Sequence, residues 1–287
     1  MFRNILVPVA GTANDAAVLA AARQVAEAFA GHLDILHVRP DTTEVLMSMA
    51  AGGVGGGDAV QAVVDRLEAD ATAAEAAARA GVKQFADSAG IAMRDAPGGA
   101  GVSAEMVVEQ GSQSAWVAQY GRFADLVVMG RGSPDDGTQD TLEAALMDTG
   151  RPLLIAPATA PAAIGATVLI AWKDTPEAAR AVSCAMPFIA RAKRVVIATV
   201  VEDGAKEDTS GARLQRALRW HNPAVELHAL ARGTGSPAEA LHAEAAKLGA
   251  DLLVMGGYSH SRLREVVFGG FTRHTLTVST VPVLMAH

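Results

Sequence analysis

The chain has 287 residues, half of them hydrophobic, 19 % charged and only 4 % aromatic. That suffices for a large core in one or two domains, while the scarcity of rings argues against a stacking platform for single-stranded nucleic acid. The net charge of −7 is uneven, with −10 in residues 1–160 and +3 in residues 161–287, so an anionic partner is better accommodated by the second half.

The opening MFRNILVPVAG runs straight into an apolar strand and lacks a signal-peptide pattern. No apolar run approaches the roughly 20 residues needed to span a bilayer. The expectation is a cytoplasmic protein with no membrane partner. The single cysteine, Cys184 in AVSCAMPFIA, fits a reducing compartment and reads as a small buried hydrophobe.

Moving along the chain, segments recur in the same order. NILVPVAGT from Asn4 returns as TVLIAWKDT from Thr167. ADLVVMGRGS from Ala124 returns as ADLLVMGGYS from Ala250, and RPLLIAP from Arg151 as VPVLMAH from Val281. Two copies of one unit are implied, residues 1–160 and 161–287, joined near APATAPAAIGA, whose Pro, Ala and Gly suit an exposed linker. The first copy carries 37 more residues between its first two matching segments. Part of that excess falls in the Gly-rich stretches Ala50–Ala59 and Asp95–Ser103, which read as loops, the first expected to be the most mobile part of its copy.

In the second copy TVLIAW reads as a strand, followed by a helix with Thr175 as N-cap and Pro176 at its first position. RVVIATV and AVELHAL are further strands. SPAEALHAEAAKLG is a helix capped by Ser236, begun by Pro237 and stopped by Gly249. DLLVMGG is the fourth strand, a helix is expected from about Thr272 to Ser279, and VPVLMA closes the copy. In the first copy, GSQSAW from Gly111 likewise reads as a helix cap, at Ser112. Continuously apolar strands alternating with helices imply a parallel, doubly wound five-stranded sheet in each copy. Ligands of such sheets sit beyond the carboxyl ends of the strands, where the winding reverses. That point lies between Lys173, after the first strand, and Gly256, at the end of the fourth.

With these marks the whole chain resembles the universal stress protein family in its tandem form. The resemblance implies a Rossmann-like α/β fold of the adenine nucleotide alpha hydrolase type in both copies. It also implies pairing of the two closing strands across a two-fold axis, so that one chain forms an intramolecular pseudo-dimer. The nucleotide-binding members carry G-x-x-G, nine residues, then G-[ST] after the fourth strand. On this sequence Gly256 matches the first glycine and Ser259 stands at the second. His260 to Phe268 are the spacer, Gly269 is the third glycine, Gly270 replaces the Ser/Thr, and Thr272 matches a further hydroxyl position. Glycines let backbone N–H groups approach phosphate oxygens. The resemblance therefore implies ATP or a related adenine nucleotide in the second copy, held by Gly256, Ser259, Gly269, Gly270 and Thr272. The base would lie near Val200, with Lys173 and His260 as further contacts. The family's aspartate after the first strand is absent; Lys173 and Ala10 stand there.

In the first copy Gly130 and Ser133 match the first two loop positions, but Glu143 and Ala144 take the last two, among Asp135, Asp136 and Asp140. Such a carboxylate cluster repels a polyphosphate, so nucleotide is expected in the second copy alone. The eight histidines show no ligand spacing with one another or with cysteine, and neither a nucleophile elbow nor a Walker-type loop occurs. No metal site and no catalytic residue are assigned. Three readings stay open: a nucleotide-binding stress-response protein with an unknown protein partner, a scaffold without nucleotide, and a slow ATP hydrolase.

Overall fold

The computed structural model describes residues 1–42, 47, 58–99, 101–131, 138–201, 209–231, 236–257, 275 and 279–287. The first half runs β1 (Asn4–Val9), α1 (Asp15–Phe29), β2 (His32–Arg39), α2 (Asp58–Ala89), β3 (Ala92–Met93), β4 (Ser103–Gln110), α3 (Gln113–Gly121), β5 (Leu126–Gly130), α4 (Thr138–Met147) and β6 (Leu153–Ala156). The second half runs β7 (Thr167–Ala171), α5 (Pro176–Ile189), β8 (Arg194–Val201), α6 (Ser210–Leu218), β9 (Val225–Ala231), α7 (Pro237–Leu248), β10 (Leu252–Gly256) and β11 (Val283–Ala286). The stretch Ala50–Ala59 falls mainly outside the described residues, as does the helix expected from Thr272 to Ser279.

The helix boundaries follow from local chemistry. The Thr175 hydroxyl accepts the Ala178 N–H and Pro176 opens α5. Ser236 forms a capping box with Glu239 at the start of α7, and Gly249 ends that helix at φ 61°. Ser112 caps α3 through the Ala115 N–H. One difference from the sequence reading lies in α2. It is 32 residues long, whereas its counterpart α6 has 9, so much of the first half's excess is helix rather than Gly-rich loop.

The strands of the described residues join one sheet in the order β3-β4-β2-β1-β5-β6-β11-β10-β7-β8-β9. Within each half, neighbouring strands are parallel. The halves meet where β6 and β11 pair antiparallel, with Leu153 opposite Met285, Leu154 opposite Leu284 and Ile155 opposite Val283. The closing strands therefore meet, as their exposed apolar edges demand.

Alternate strand residues feed two cores, one on each face. Ile5, Val7, Leu154, Ile170 and Leu284 pack with α1 and α5. Leu6, Leu153, Ile155, Leu169 and Met285 pack with α3, α4 and α7. Each core draws on both halves. The rings of Phe2, Phe29 and Phe188 stand 5.3 Å apart in each pairing and tie α1 to α5. Cys184 is half-buried on the first of these cores, and burial pushes its thiol pKa up, so it is a weak nucleophile.

An aspartate just ahead of β5 and another just ahead of β10 brace the two halves. Asp125 accepts the N–H groups of Arg3 and Asn4, and Asp251 accepts those of Gly165, Ala166 and Thr167. The repeated ADL of the sequence is thus an anchor for the entry of the first strand.

Candidate functional site

In the second half β7 is flanked by β8 on one side and β10 on the other, and the winding reverses here. Met255 pairs with Ala171, so the chain leaves β10 at Gly256 beside the exit of β7 through Trp172 and exposed Lys173. Val200 pairs with Leu230 near the end of β8, which continues one residue further than the sequence suggested, to Val201. Lys173, Gly256 and the backbone of Val200 therefore lie at the same edge of the sheet. Ser259, His260, Gly269, Gly270 and Thr272 lie outside the described residues.

The structure supplies a reason for Gly256 that spacing alone did not. A Cβ there would stand 2.6 Å from the Ala178 nitrogen and 2.8 Å from the Glu177 carbonyl carbon. The tip of β10 thus runs directly against the first turn of α5, whose N–H groups give that end partial positive charge. The Trp172 indole N–H donates to the Ser210 hydroxyl at 2.9 Å, fastening the exit of β7 to α6.

The same place in the first half is closed. The Asp15 carboxylate accepts the backbone N–H groups of Ala10, Gly11 and Thr12 at 3.2, 2.8 and 3.2 Å. A side-chain anion therefore already occupies the donors of the turn that follows β1. Helix α2 presses on this turn as well: a Cβ on Gly11 would stand 2.1 Å from the Ala74 carbonyl oxygen. In the repeat, Ala178 stands where Asp15 does, and a methyl group accepts no hydrogen bond. Burial first, then Asp140 and Asp148, raise the Glu143 carboxyl pKa on α4, which fits an acidic surround in this half. Asp135 and Asp136 lie outside the described residues.

A separate polar network covers the outer strands of the second half. Arg194 forks onto Glu226 at 2.8 and 2.7 Å. His228 bridges Glu226 at 3.2 Å and Glu244 at 2.7 Å, and Lys247 reaches Glu244 at 3.3 Å. His228, Glu244 and Lys247 line a shallow depression against α7. The hydrogen bond from His228 is the main cause that lowers the Glu244 carboxyl pKa, and that from Arg194 does the same for Glu226. Both folded values lie below the unfolded ones, so the stabilisation is full above the ordinary carboxylate range and is lost as pH falls through the lowered values. Glu244→Gln should cost about 1 kcal/mol near neutral pH and make the loss of stability in acid less steep. Urea melts of both proteins between neutral pH and pH 3 measure this; parallel profiles would contradict it.

A protein-family model described as the universal stress protein family matches residues 1–147 and again residues 166–287. Among solved structures, a universal stress protein from Archaeoglobus fulgidus is similar over 99 % of this chain and 95 % of its own, at 19 % identity and a TM-score of 0.70. A functionally unknown protein from Pseudomonas aeruginosa is similar over 99 % of this chain and 92 % of its own, at 15 % identity and a TM-score of 0.58. At such identities these two likenesses establish the shared fold. No curated protein sequence matches the chain.

Proposed function

The chain belongs to the universal stress protein family, in tandem form, and from that premise we propose that residues 161–287 bind an adenine nucleotide, with ATP the first candidate. The protein would act by presenting its nucleotide-bound or empty state to a protein partner, with little or no turnover. Residues 1–160 would be the unit without nucleotide. The observation that carries this reading is the asymmetry of the two strand tips. Asp15 fills the turn after β1, whereas Ala178 replaces it in the second half and exposed Lys173 stands at the lip. In the first arrangement a carboxylate repels a polyphosphate and already holds the turn's N–H groups; in the second, position 178 carries no carboxylate and Lys173 offers a cation beside Asp174. The cytoplasm is the proposed compartment; no helix among the described residues is long and apolar enough to cross a membrane.

In this reading the phosphates lie along the loop from Gly256 to Thr272 and the base near Val200. Titration calorimetry with ATP should give one site per chain. Lys173→Glu should weaken it at least tenfold, equal to about 1.4 kcal/mol. Ala10→Glu, the same position in the first half, should leave affinity unchanged. Gly269→Val should abolish binding, because a branched side chain blocks the backbone approach. Thr272→Ala should cost about 0.5–1.5 kcal/mol, the worth of one hydrogen bond. Absence of heat with the unmodified protein supports the scaffold reading instead. Equal losses from Ala10→Glu and Lys173→Glu would place nucleotide in both halves, and release of ADP would make the protein a hydrolase.

A further inference from the structure

At the opposite, amino-terminal end of the strands, β2 and β4 bring three metal-ligating side chains together. His32 and Asp34 are two residues apart on β2 and so share a face. Glu105 lies directly opposite Asp34 on β4. One ligand atom from each lies within 4.8 Å of the other two. The imidazole is already oriented, with Nδ1 2.8 Å from the Ser103 hydroxyl and Nε2 3.1 Å from the Asp34 carboxylate.

Two carboxylates directly opposite on paired strands repel each other. Among the described residues, neither Lys nor Arg forms an ion pair with Asp34 or Glu105. Their field reaches α3: the Tyr120 phenol is pushed up to about 12, chiefly by its hydrogen bond to Glu109, with Glu105 and Asp34 adding to it.

The second half shows what the same place requires. Asn4 pairs with His32 on β2, and its repeat counterpart Thr167 pairs with Arg194 on β8. Arg194 therefore occupies the position of His32. Glu226, opposite Val196, occupies that of Glu105, and Val196 that of Asp34. Of those three positions only Glu226 is a carboxylate, and the guanidinium of Arg194 neutralises it through two hydrogen bonds, with His228 as a further partner. At the matched positions the first half has an imidazole in place of that tethered cation and a second carboxylate in place of Val196.

We propose that His32, Asp34 and Glu105 form a binding site for a divalent cation of the zinc class. One nitrogen and two carboxylate oxygens are a borderline donor set suited to Zn²⁺. Bonds of about 2.0–2.2 Å put neighbouring ligand atoms roughly 3.3–3.6 Å apart in a tetrahedral site. The His32–Asp34 separation is already near that value, and rotation about the side-chain torsions of Glu105 brings in the third ligand. Binding through Nε2 puts the ring proton on Nδ1, which then donates to the Ser103 oxygen; a hydroxyl serves either tautomer. His32 and Asp34 are about one-quarter exposed, at 26 % and 24 % of their side-chain surface, which leaves a fourth position for water. The site does not depend on the nucleotide reading.

The test is a Zn²⁺ titration of the chelator-stripped full chain against a chromophoric chelator of known affinity, with thermal unfolding in parallel. The unmodified chain should take up one equivalent and melt at a higher temperature with Zn²⁺. Glu105→Gln and His32→Ala should each bind at least thirty-fold more weakly. His32→Arg, which installs the arrangement of the second half, should remain folded by circular dichroism and lose both uptake and the thermal shift. His228→Ala should leave uptake unchanged. Absence of stoichiometric uptake by the unmodified chain would overturn the proposal. So would uptake that persists in folded His32→Arg.

Discussion

Leu284→Ala should remove about 2–5 kcal/mol of stability, the usual cost of truncating a fully buried leucine, and the loss should be felt in both halves. Leu284 is completely buried in β11, opposite Leu154 of β6, and both belong to the core packed under α1 and α5. That core continues without a break from Ile5 and Val7 to Val168 and Ile170. A cavity at the seam therefore has lining from each half, and neither half can close it alone. Urea melts should show one transition moved to lower denaturant. Hydrogen exchange should show the same fall in protection in β1 as in β7. A fall confined to β10 and β11 would mean that the halves unfold independently.

Gly256→Ala should be nearly as damaging, at about 3 kcal/mol, the upper end of the usual cost of overpacking. The added methyl meets backbone atoms of Glu177 and Ala178, which cannot rotate aside, so the start of α5 or the tip of β10 must move. Gly130→Ala, the same position in the first half, makes a milder conflict. There the nearest atom is a methyl of the Val18 side chain at 2.9 Å, so a side chain rather than helix backbone has to shift. It should cost about 1 kcal/mol or less. Thermal melts of the two variants read the difference directly. Equal costs would refute the view that contact with the helix backbone is what demands glycine at position 256.

The sheet and its winding were readable because their causes are local and repeated. Apolar runs such as ILVPV, DLLVM and VLMA bury on both faces and keep their pattern wherever they fall. Thr175, Ser236 and Gly249 mark helix ends through chemistry within four residues. The switch point follows from strand order, which sets the ends of β7 and β10 side by side. Other features were hidden because they depend on three-dimensional neighbours. Asp15 reads as an ordinary first-turn acid until the turn folds back and presents three N–H groups to it. Asp34 and Glu105 become opposites only through the register of two strands far apart in sequence. A search for histidines spaced near cysteines or one another could not find them. A comparison of the two copies position by position, His32 against Arg194, would have flagged the place.

The antiparallel join of β6 and β11 has a consequence for how the two halves can change. A pair of separate subunits comes apart on dilution, and identical subunits must accept every substitution twice, once on each side of the axis. Here the join is made within one polypeptide, so its effective concentration is fixed by the linker rather than by the cell. Each half is also free to drift alone. Asp15 can seal one turn while its counterpart position carries the methyl group of Ala178, and the net charges can part to −10 and +3. The arrangement keeps the bulk and shared core of a dimer while allowing a division of labour between halves that a symmetric one forbids.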